Sequence, residues 1–132
     1  SRRIAAAVER QLRADHGVTL DDYEVLVRLS ESPDRRLRMT DLAASVTNSP
    51  SRLSQRIDRM AERGWIRRMA SDDDRRVSYA CLTDEGYAFL AAIAPSHVEE
   101  VRRQMIDRLT TEQVAALAEV LPALVDDEQR LD

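Results

Sequence analysis

The residues best suited to chemistry in this sequence are polar side chains on a short helix predicted near the middle of the chain. Ser51, Arg52 and Gln55 fall on the outward side of that helix, close to its start. Arginine, glutamine and serine read base edges in the major groove of duplex DNA by hydrogen bonding. The predicted chemistry is therefore non-covalent recognition, by the first half of a helix lying in a groove.

Arginines also form a stripe along one flank of this helix. They occur at Arg52, Arg56, Arg59 and Arg63, a spacing that keeps them on one side of a helix. A stripe of guanidinium groups suits contacts to phosphates. The residues that we predict to contact DNA from the recognition helix are Ser49, Ser51, Arg52, Gln55, Arg56 and Arg59.

The ends of the recognition helix are well marked in the sequence. Ser49 offers an N-cap hydroxyl, Pro50 occupies the first helical position, and Gly64 suits the turn that follows a helix. Helical periodicity predicts a core-facing side that consists of Leu53, Ile57 and Met60.

A second helix and a hairpin complete the predicted unit, which spans residues 40–83. Residues 40–46 form a helix capped by Thr40, and only Thr47 and Asn48 separate it from the recognition helix. Residues 65–69 and 77–82 are predicted strands, and residues 37–39 could add a third. The loop of residues 70–76 is the wing, whose arginines could enter a narrow minor groove. The predicted DNA-binding residues of the wing are Asp74, Arg75 and Arg76.

These residues carry a resemblance to the MarR family of regulators. The run Asp74-Arg75-Arg76 and the later Leu82-Thr83-Asp84-Glu85-Gly86 are similar to the family's D-x-R and L-T-x-x-G motifs, and Asp58-Arg59-Met60 before Gly64 resembles the end of its recognition helix. The resemblance covers nearly the whole chain. It implies that Arg76 is the minor-groove arginine and that Asp74 orients neighbouring arginines. Arg56 departs from the pattern, because the family usually has an apolar residue there.

The expected fold is mainly α with a small β-wing: a winged helix-turn-helix flanked by N- and C-terminal dimerisation helices. We expect an N-terminal dimerisation helix in residues 1–18, the winged helix-turn-helix DNA-binding domain in residues 19–83, and C-terminal dimerisation helices in residues 84–132. Residues 3–14 carry an amphipathic stripe that we expect to pack on the C-terminal region, and Thr19 with Asp22 is predicted to cap the next helix. Thr83 caps a long helix with a kink near Pro95, and Thr110 with Gln113 caps the last helix. These helices carry more apolar surface than one winged domain can cover. A homodimer follows, with recognition helices roughly 34 Å apart and a pseudo-palindromic operator in double-stranded DNA.

The charge distribution supports an oriented DNA-binding protein. Residues 52–76 hold eight arginines and five acidic residues, within a chain whose net charge is −4 and whose pI is about 5.3. A chain this acidic is not suited to coating nucleic acid indiscriminately. The sequence has no apolar run that could span a membrane and no signal-peptide pattern, so we expect a cytoplasmic protein. The start at Ser1 rather than methionine suggests missing upstream residues.

Other classes of protein remain as alternatives. No catalytic constellation or phosphate-binding glycine loop is present, so we predict no enzyme and no cofactor. A winged-helix protein-interaction module would lack the arginines of the helix and wing. A redox- or metal-responsive regulator would depend on the single Cys81 or on the two histidines, and we predict no metal site.

An effector is implied only by the resemblance. MarR-like proteins commonly bind small aromatic or anionic molecules between the dimer helices and the winged lobe, which predicts a repressor released by a small molecule. His16, Tyr23 and His97 are candidate pocket groups, with ordinary packing or hydrogen bonding as the alternative for each. The sequence does not assign the effector site.

Overall fold

Six α-helices and three short strands make up the fold, as seen in a computed structural model that describes residues 2–46 and 49–130, with side chains through residue 123. The architecture is mainly helical with a small antiparallel sheet, as predicted. The elements, with two short 3-10 turns at Pro33–Arg35 and Ile106–Arg108, are α1 Arg2–His16, α2 Leu20–Glu31, β1 Arg36–Arg38, α3 Met39–Ser45, α4 Pro50–Glu62, β2 Ile66–Ala70, β3 Ser78–Leu82, α5 Asp84–Gln104 and α6 Thr111–Arg130.

Reciprocal caps begin two of the helices, both as predicted. Thr19 Oγ1 accepts from the Asp22 backbone N–H at 3.0 Å, and Asp22 Oδ2 accepts from the Thr19 N–H at 2.9 Å. At the start of α6, Thr110 Oγ1 accepts from the Gln113 N–H at 3.2 Å, and Gln113 Oε1 accepts from the Thr110 N–H at 2.9 Å. Each cap satisfies two backbone donors that the first turn leaves free.

The sheet has the strand order β1-β3-β2, and both pairings are antiparallel. The third strand that the sequence predicted is present, one residue earlier than expected. In the β2–β3 hairpin Ile66 pairs with Leu82 and Ala70 pairs with Ser78, so the wing loop covers residues 71–77. The buried side of the sheet, with Ala80 and Leu82, packs on the helices of the lobe.

The predicted N-cap of α3 is wrong. The helix begins at Met39, its N-cap is Arg38, and no side chain caps it. The cause is that β1 ends in extended backbone directly at the helix, so Thr40 lies inside the first turn. The connection at Thr47 and Asn48 lies outside the described residues.

Two hydrophobic clusters meet at an aromatic pair. The larger cluster joins α2, α3, α4 and the sheet, and the smaller one joins α1 to α5 through Val8, Leu12, Val18 and Ile93. The Trp65 and Phe89 rings stack at 3.9 Å between centroids and contact both clusters. The first helix therefore packs against the C-terminal region, as its apolar stripe predicted.

The C-terminal helix α6 differs from the other helices in how little it buries. Helix α5 runs through Pro95 as one element, while none of the described α6 side chains, residues 111–123, is buried. No helix in the described ranges is both long and apolar enough to cross a membrane.

Candidate nucleic-acid interface

The recognition helix α4 forms as its sequence predicted. Ser49 Oγ accepts from the Arg52 backbone N–H at 3.3 Å, Pro50 is the first residue of the helix, and Gly64 adopts a positive φ of 80° beyond its end. That φ suits glycine because a side chain would clash with the backbone. The inner face consists of the buried side chains of Leu53, Ile57 and Met60, as expected.

The opposite face of α4 is exposed and polar. Ser51, Arg52, Gln55 and Arg59 all lie in solvent, and Ser49 Oγ is 3.3 Å from Ser51 Oγ. Among the residues that the structure describes, no ion pair or side-chain hydrogen bond holds the side chains of Arg52, Gln55 or Arg59. These three groups are free to meet a partner.

Arg56 lies apart from this face, although the sequence grouped it there. Its side chain is only 11% exposed, and Nη1 donates to Thr19 Oγ1 at 2.9 Å and to Asp22 Oδ1, while Nη2 is 3.5 Å from Asp21 Oδ2. The reason is tertiary: this flank of α4 meets the acidic first turn of α2. A buried arginine needs such partners because an unpaired buried charge is costly. Arg56 therefore joins α4 to α2, and the exposed face lacks it.

The wing presents an arginine held by a neighbouring carboxylate. The Arg76 backbone N–H and Nε donate to Asp74 Oδ1 at 3.0 and 3.1 Å, and Nη2 donates to Oδ2 at 3.1 Å. These hydrogen bonds from Arg76 lower the pKa of the Asp74 carboxyl. The Arg76 side chain is 91% exposed, so Asp74 holds one edge of the guanidinium while the rest of the group faces solvent. Arg75 is exposed beside it.

The L-T-x-x-G motif forms a tight joint behind this face. Thr83 Oγ1 accepts from the Gly86 N–H at 3.0 Å and donates to the Gly64 carbonyl at 2.6 Å, and the Thr83 N–H donates to the Trp65 carbonyl at 3.0 Å. A Cβ on Gly86 would lie 2.2 Å from the Trp65 carbonyl oxygen. The end of the recognition helix and the start of α5 therefore meet backbone to backbone.

A cationic cleft lies beside the exposed face, along the flank of α4 that faces α1 and the start of α2. Its volume is about 380 Å³, and its lining includes Arg13, Arg56, Arg59 and Arg63 together with one acidic residue, Asp22. Arg63 also donates to the Gly17 carbonyl at 3.3 Å and lies 4.8 Å from the centre of the Trp65 ring. Arg13 could not be assigned to this site from the sequence, because it comes from α1 and only the tertiary fold brings it to the recognition helix.

The candidate pocket groups His16, Tyr23 and His97 and the single Cys81 lie in different environments. His16 Nε2 and Ser96 Oγ are 2.8 Å apart, whereas Tyr23 packs on His97 with ring centroids 4.1 Å apart. Burial lowers the pKa of His97, which is 9% exposed. Burial also raises the pKa of the Cys81 thiol on β3, an effect that nearby Arg67 and Arg36 oppose. A buried thiol with a raised pKa is poorly suited to oxidant sensing.

Comparisons with known proteins place this geometry in a family. The MarR family model matches residues 18–78. The structure of Sco3205, a MarR family transcriptional regulator from Streptomyces coelicolor solved in complex with DNA, is 42% identical and covers 96% of this chain and 79% of its own, with a TM-score of 0.82.

Two further relatives are similar over shorter stretches. The HTH-type transcriptional regulator PecS of Dickeya dadantii is 37% identical over 104 residues, which are 76% of this chain and 63% of PecS. The transcriptional repressor MprA of Escherichia coli K12 is 26% identical over 116 residues, which are 88% of this chain and 64% of MprA. The chain thus spans less than two thirds of the length of either relative. With the family model and the similarity to Sco3205, it belongs to the MarR family of transcriptional regulators.

Proposed function

We propose that this chain is a non-enzymatic, homodimeric transcriptional repressor that binds a pseudo-palindromic DNA operator in the cytoplasm. The observation that carries the proposal is the exposed polar face of α4, beside a wing whose Arg76 faces solvent. In the part of the chain that the structure describes, the side chains of Arg52, Gln55 and Arg59 on that face have no ion pair or hydrogen bond. The DNA complex of Sco3205 and the repressor MprA support the proposal.

The proposed contacts divide by chemistry. Ser51, Arg52 and Gln55 read base edges in the major groove, while Arg59 contacts phosphate. Ser49 caps the helix and directs its N-terminal N–H groups, which favour anions, toward the backbone of the DNA. In the wing, Arg76 enters the minor groove and Arg75 contacts the adjacent phosphates. Arg56 takes no part in binding DNA.

Dimerisation is proposed for the frame of residues 1–18 and 84–132, and DNA binding for residues 19–83. The support is apolar exposure on the C-terminal helices: Val98 is 61%, Met105 41%, Val120 54% and Leu121 45% exposed. A second copy would bury these side chains, at about 25 cal/mol per Å² of apolar surface removed from water.

The effector site that we propose is the cationic cleft. A small aromatic acid fits its chemistry, because guanidinium groups bind carboxylates and Trp65 supplies a flat apolar wall. Arg59 belongs to both the cleft and the exposed face of α4, and an anion bound there would compete with DNA for it.

The test of DNA binding is a gel shift with intergenic DNA upstream of the protein's own gene. Arg76→Ala should weaken binding and reduce the slope of log affinity against log salt by about one. Gln55→Ala should change base preference by about 1–3 kcal/mol at one position of each half-site. Arg28→Ala, at an exposed arginine on α2, is the matched control. Equal binding by the parent and the Arg76→Ala variant at every salt concentration would remove the wing from the proposal.

The test of the cleft uses benzoate as the probe. Benzoate should raise the Tm of the parent chain and release operator DNA, and Arg13→Ala should weaken both effects. Arg13 is the variant of choice because it lines the cleft without belonging to the proposed DNA-binding face. If benzoate released DNA from the Arg13→Ala chain as readily as from the parent, the cleft would not be the effector site.

A further inference from the structure

Two adjacent arginines of β2 point to opposite sides of the sheet, as strand geometry requires. Arg68 turns toward the recognition helix: its Nε donates to Asp58 Oδ1 at 2.9 Å, and its Nη2 donates to the Ser54 carbonyl at 3.0 Å and to Ser54 Oγ at 2.7 Å. Arg67 turns away, and within the described residues the one hydrogen bond of its side chain is to Met69 Sδ, at 3.6 Å.

The position of the Arg68 contacts links the two parts of the DNA-binding face. Ser54 and Asp58 are one turn apart on α4, and each directly precedes a residue of the exposed face, Gln55 and Arg59 respectively. Arg68 itself lies in the hairpin that ends in the wing. One side chain therefore ties the helix proposed to read the major groove to the strand that carries the wing.

We propose that Arg68 is a positioning residue that holds the recognition helix and the wing in a fixed relation, so that both contact DNA as one rigid unit. This inference rests on the proposed function. The planar guanidinium fixes direction as well as distance, because its donors form a rigid fork. The Arg68 and Asp58 side chains are 34% and 61% exposed, so solvent screens the pair and its contribution to folding stability is small. The effect of Arg68 is on DNA affinity, because without it the wing would be loose, and ordering the wing on binding would cost free energy.

The first experiment compares operator affinity and Tm for three variants. Arg68→Met should weaken binding about tenfold, within the range of coupling between contacting residues, and change Tm by no more than about 2 °C. Arg68→Lys keeps the charge but loses the fork, so it should resemble Arg68→Met more than the parent. Arg67→Met, the neighbour on the opposite side of the sheet, should bind within about twofold of the parent. Unchanged affinity in Arg68→Met would overturn the inference.

The second experiment separates positioning from direct contact. In an Arg75→Ala, Arg76→Ala background both wing contacts are already lost, so adding Arg68→Met should cost less than about twofold in affinity. The salt dependence of binding should also be the same with and without Arg68. An equal loss in both backgrounds, or a slope reduced by about one, would make Arg68 a direct phosphate contact and overturn the inference. A parent chain that binds no operator would instead overturn the proposed function, and this inference with it.

Discussion

The winged lobe and the C-terminal helix α6 represent opposite ways of completing a core. In the lobe, the inner faces of α2, α3 and α4 bury one another against the sheet, and Leu26, Leu42 and Ile57 have no exposed surface. In α6, Val120 and Leu121 are 54% and 45% exposed, although the apolar residues of this helix repeat as in an amphipathic helix that packs on a partner. The lobe is therefore complete within one chain, whereas the helical frame leaves apolar surface exposed that the proposed dimer would cover.

The largest expected effect is the loss of a core side chain from the lobe. Ile57→Ala should lower the free energy of unfolding by about 2–5 kcal/mol, because it removes a fully buried side chain and leaves a cavity. Urea unfolding at a fixed protein concentration measures this. Gln55→Ala, half a turn away on the exposed face, should change stability by less than about 0.5 kcal/mol. Equal effects of the two changes would contradict the view that the lobe completes its own core.

A charged residue on α6 should weaken dimerisation without affecting the fold of the lobe. Leu121→Asp should weaken dimerisation by at least about 1.5–3 kcal/mol, or one to two decades in Kd, while the fold of the lobe is kept. Sedimentation measures the association and circular dichroism the fold. Ala123→Asp, on the far side of the same helix, is the control. If the Leu121→Asp chain sedimented like the parent at all concentrations, α6 would not form the interface.

The joint between the two regions gives a third prediction. Gly86→Ala should lower the free energy of unfolding by about 1–3 kcal/mol, because its Cβ would meet the Trp65 carbonyl oxygen at 2.2 Å and the backbone would have to shift. Thermal unfolding measures the change, and Ala88→Ser, at an exposed position of the same helix, is the control. An unchanged Tm would show that the joint can relax freely.

The smallest expected effect is a dependence of stability on pH at His97. Burial lowers its pKa in the folded state, so the unfolded chain binds the proton more readily. Stability should therefore be complete above the ordinary histidine pKa of about 6.5 and fall as the pH decreases below it. His97→Gln should flatten the curve of Tm against pH between about pH 5 and 8. Identical curves for the parent and His97→Gln would contradict this.

The features that could be predicted best from the sequence are those that depend on residues close together in the chain. The caps at Thr19, Ser49 and Thr110 and the inner face of α4 all follow from spacings of a few residues. The environment of Arg56 could not be predicted, because its partner Asp22 lies 34 residues away and helical periodicity does not show which element covers a flank. The same limit applies to Arg13 in the cleft and to Arg68 beneath the recognition helix, since each acts across a tertiary contact.

The Thr83 joint also limits where the molecule can bend. Because the backbone of α5 at Gly86 lies directly against the Trp65 carbonyl, the DNA-binding lobe and the first turns of α5 have to turn together. A ligand that alters the distance between the two recognition helices of a dimer would then have to act further along α5, where Pro95 removes a backbone donor, or between the subunits. The lobe and the first turns of α5 would then rotate as one rigid body, about a point in the C-terminal helices or at the contact between the subunits.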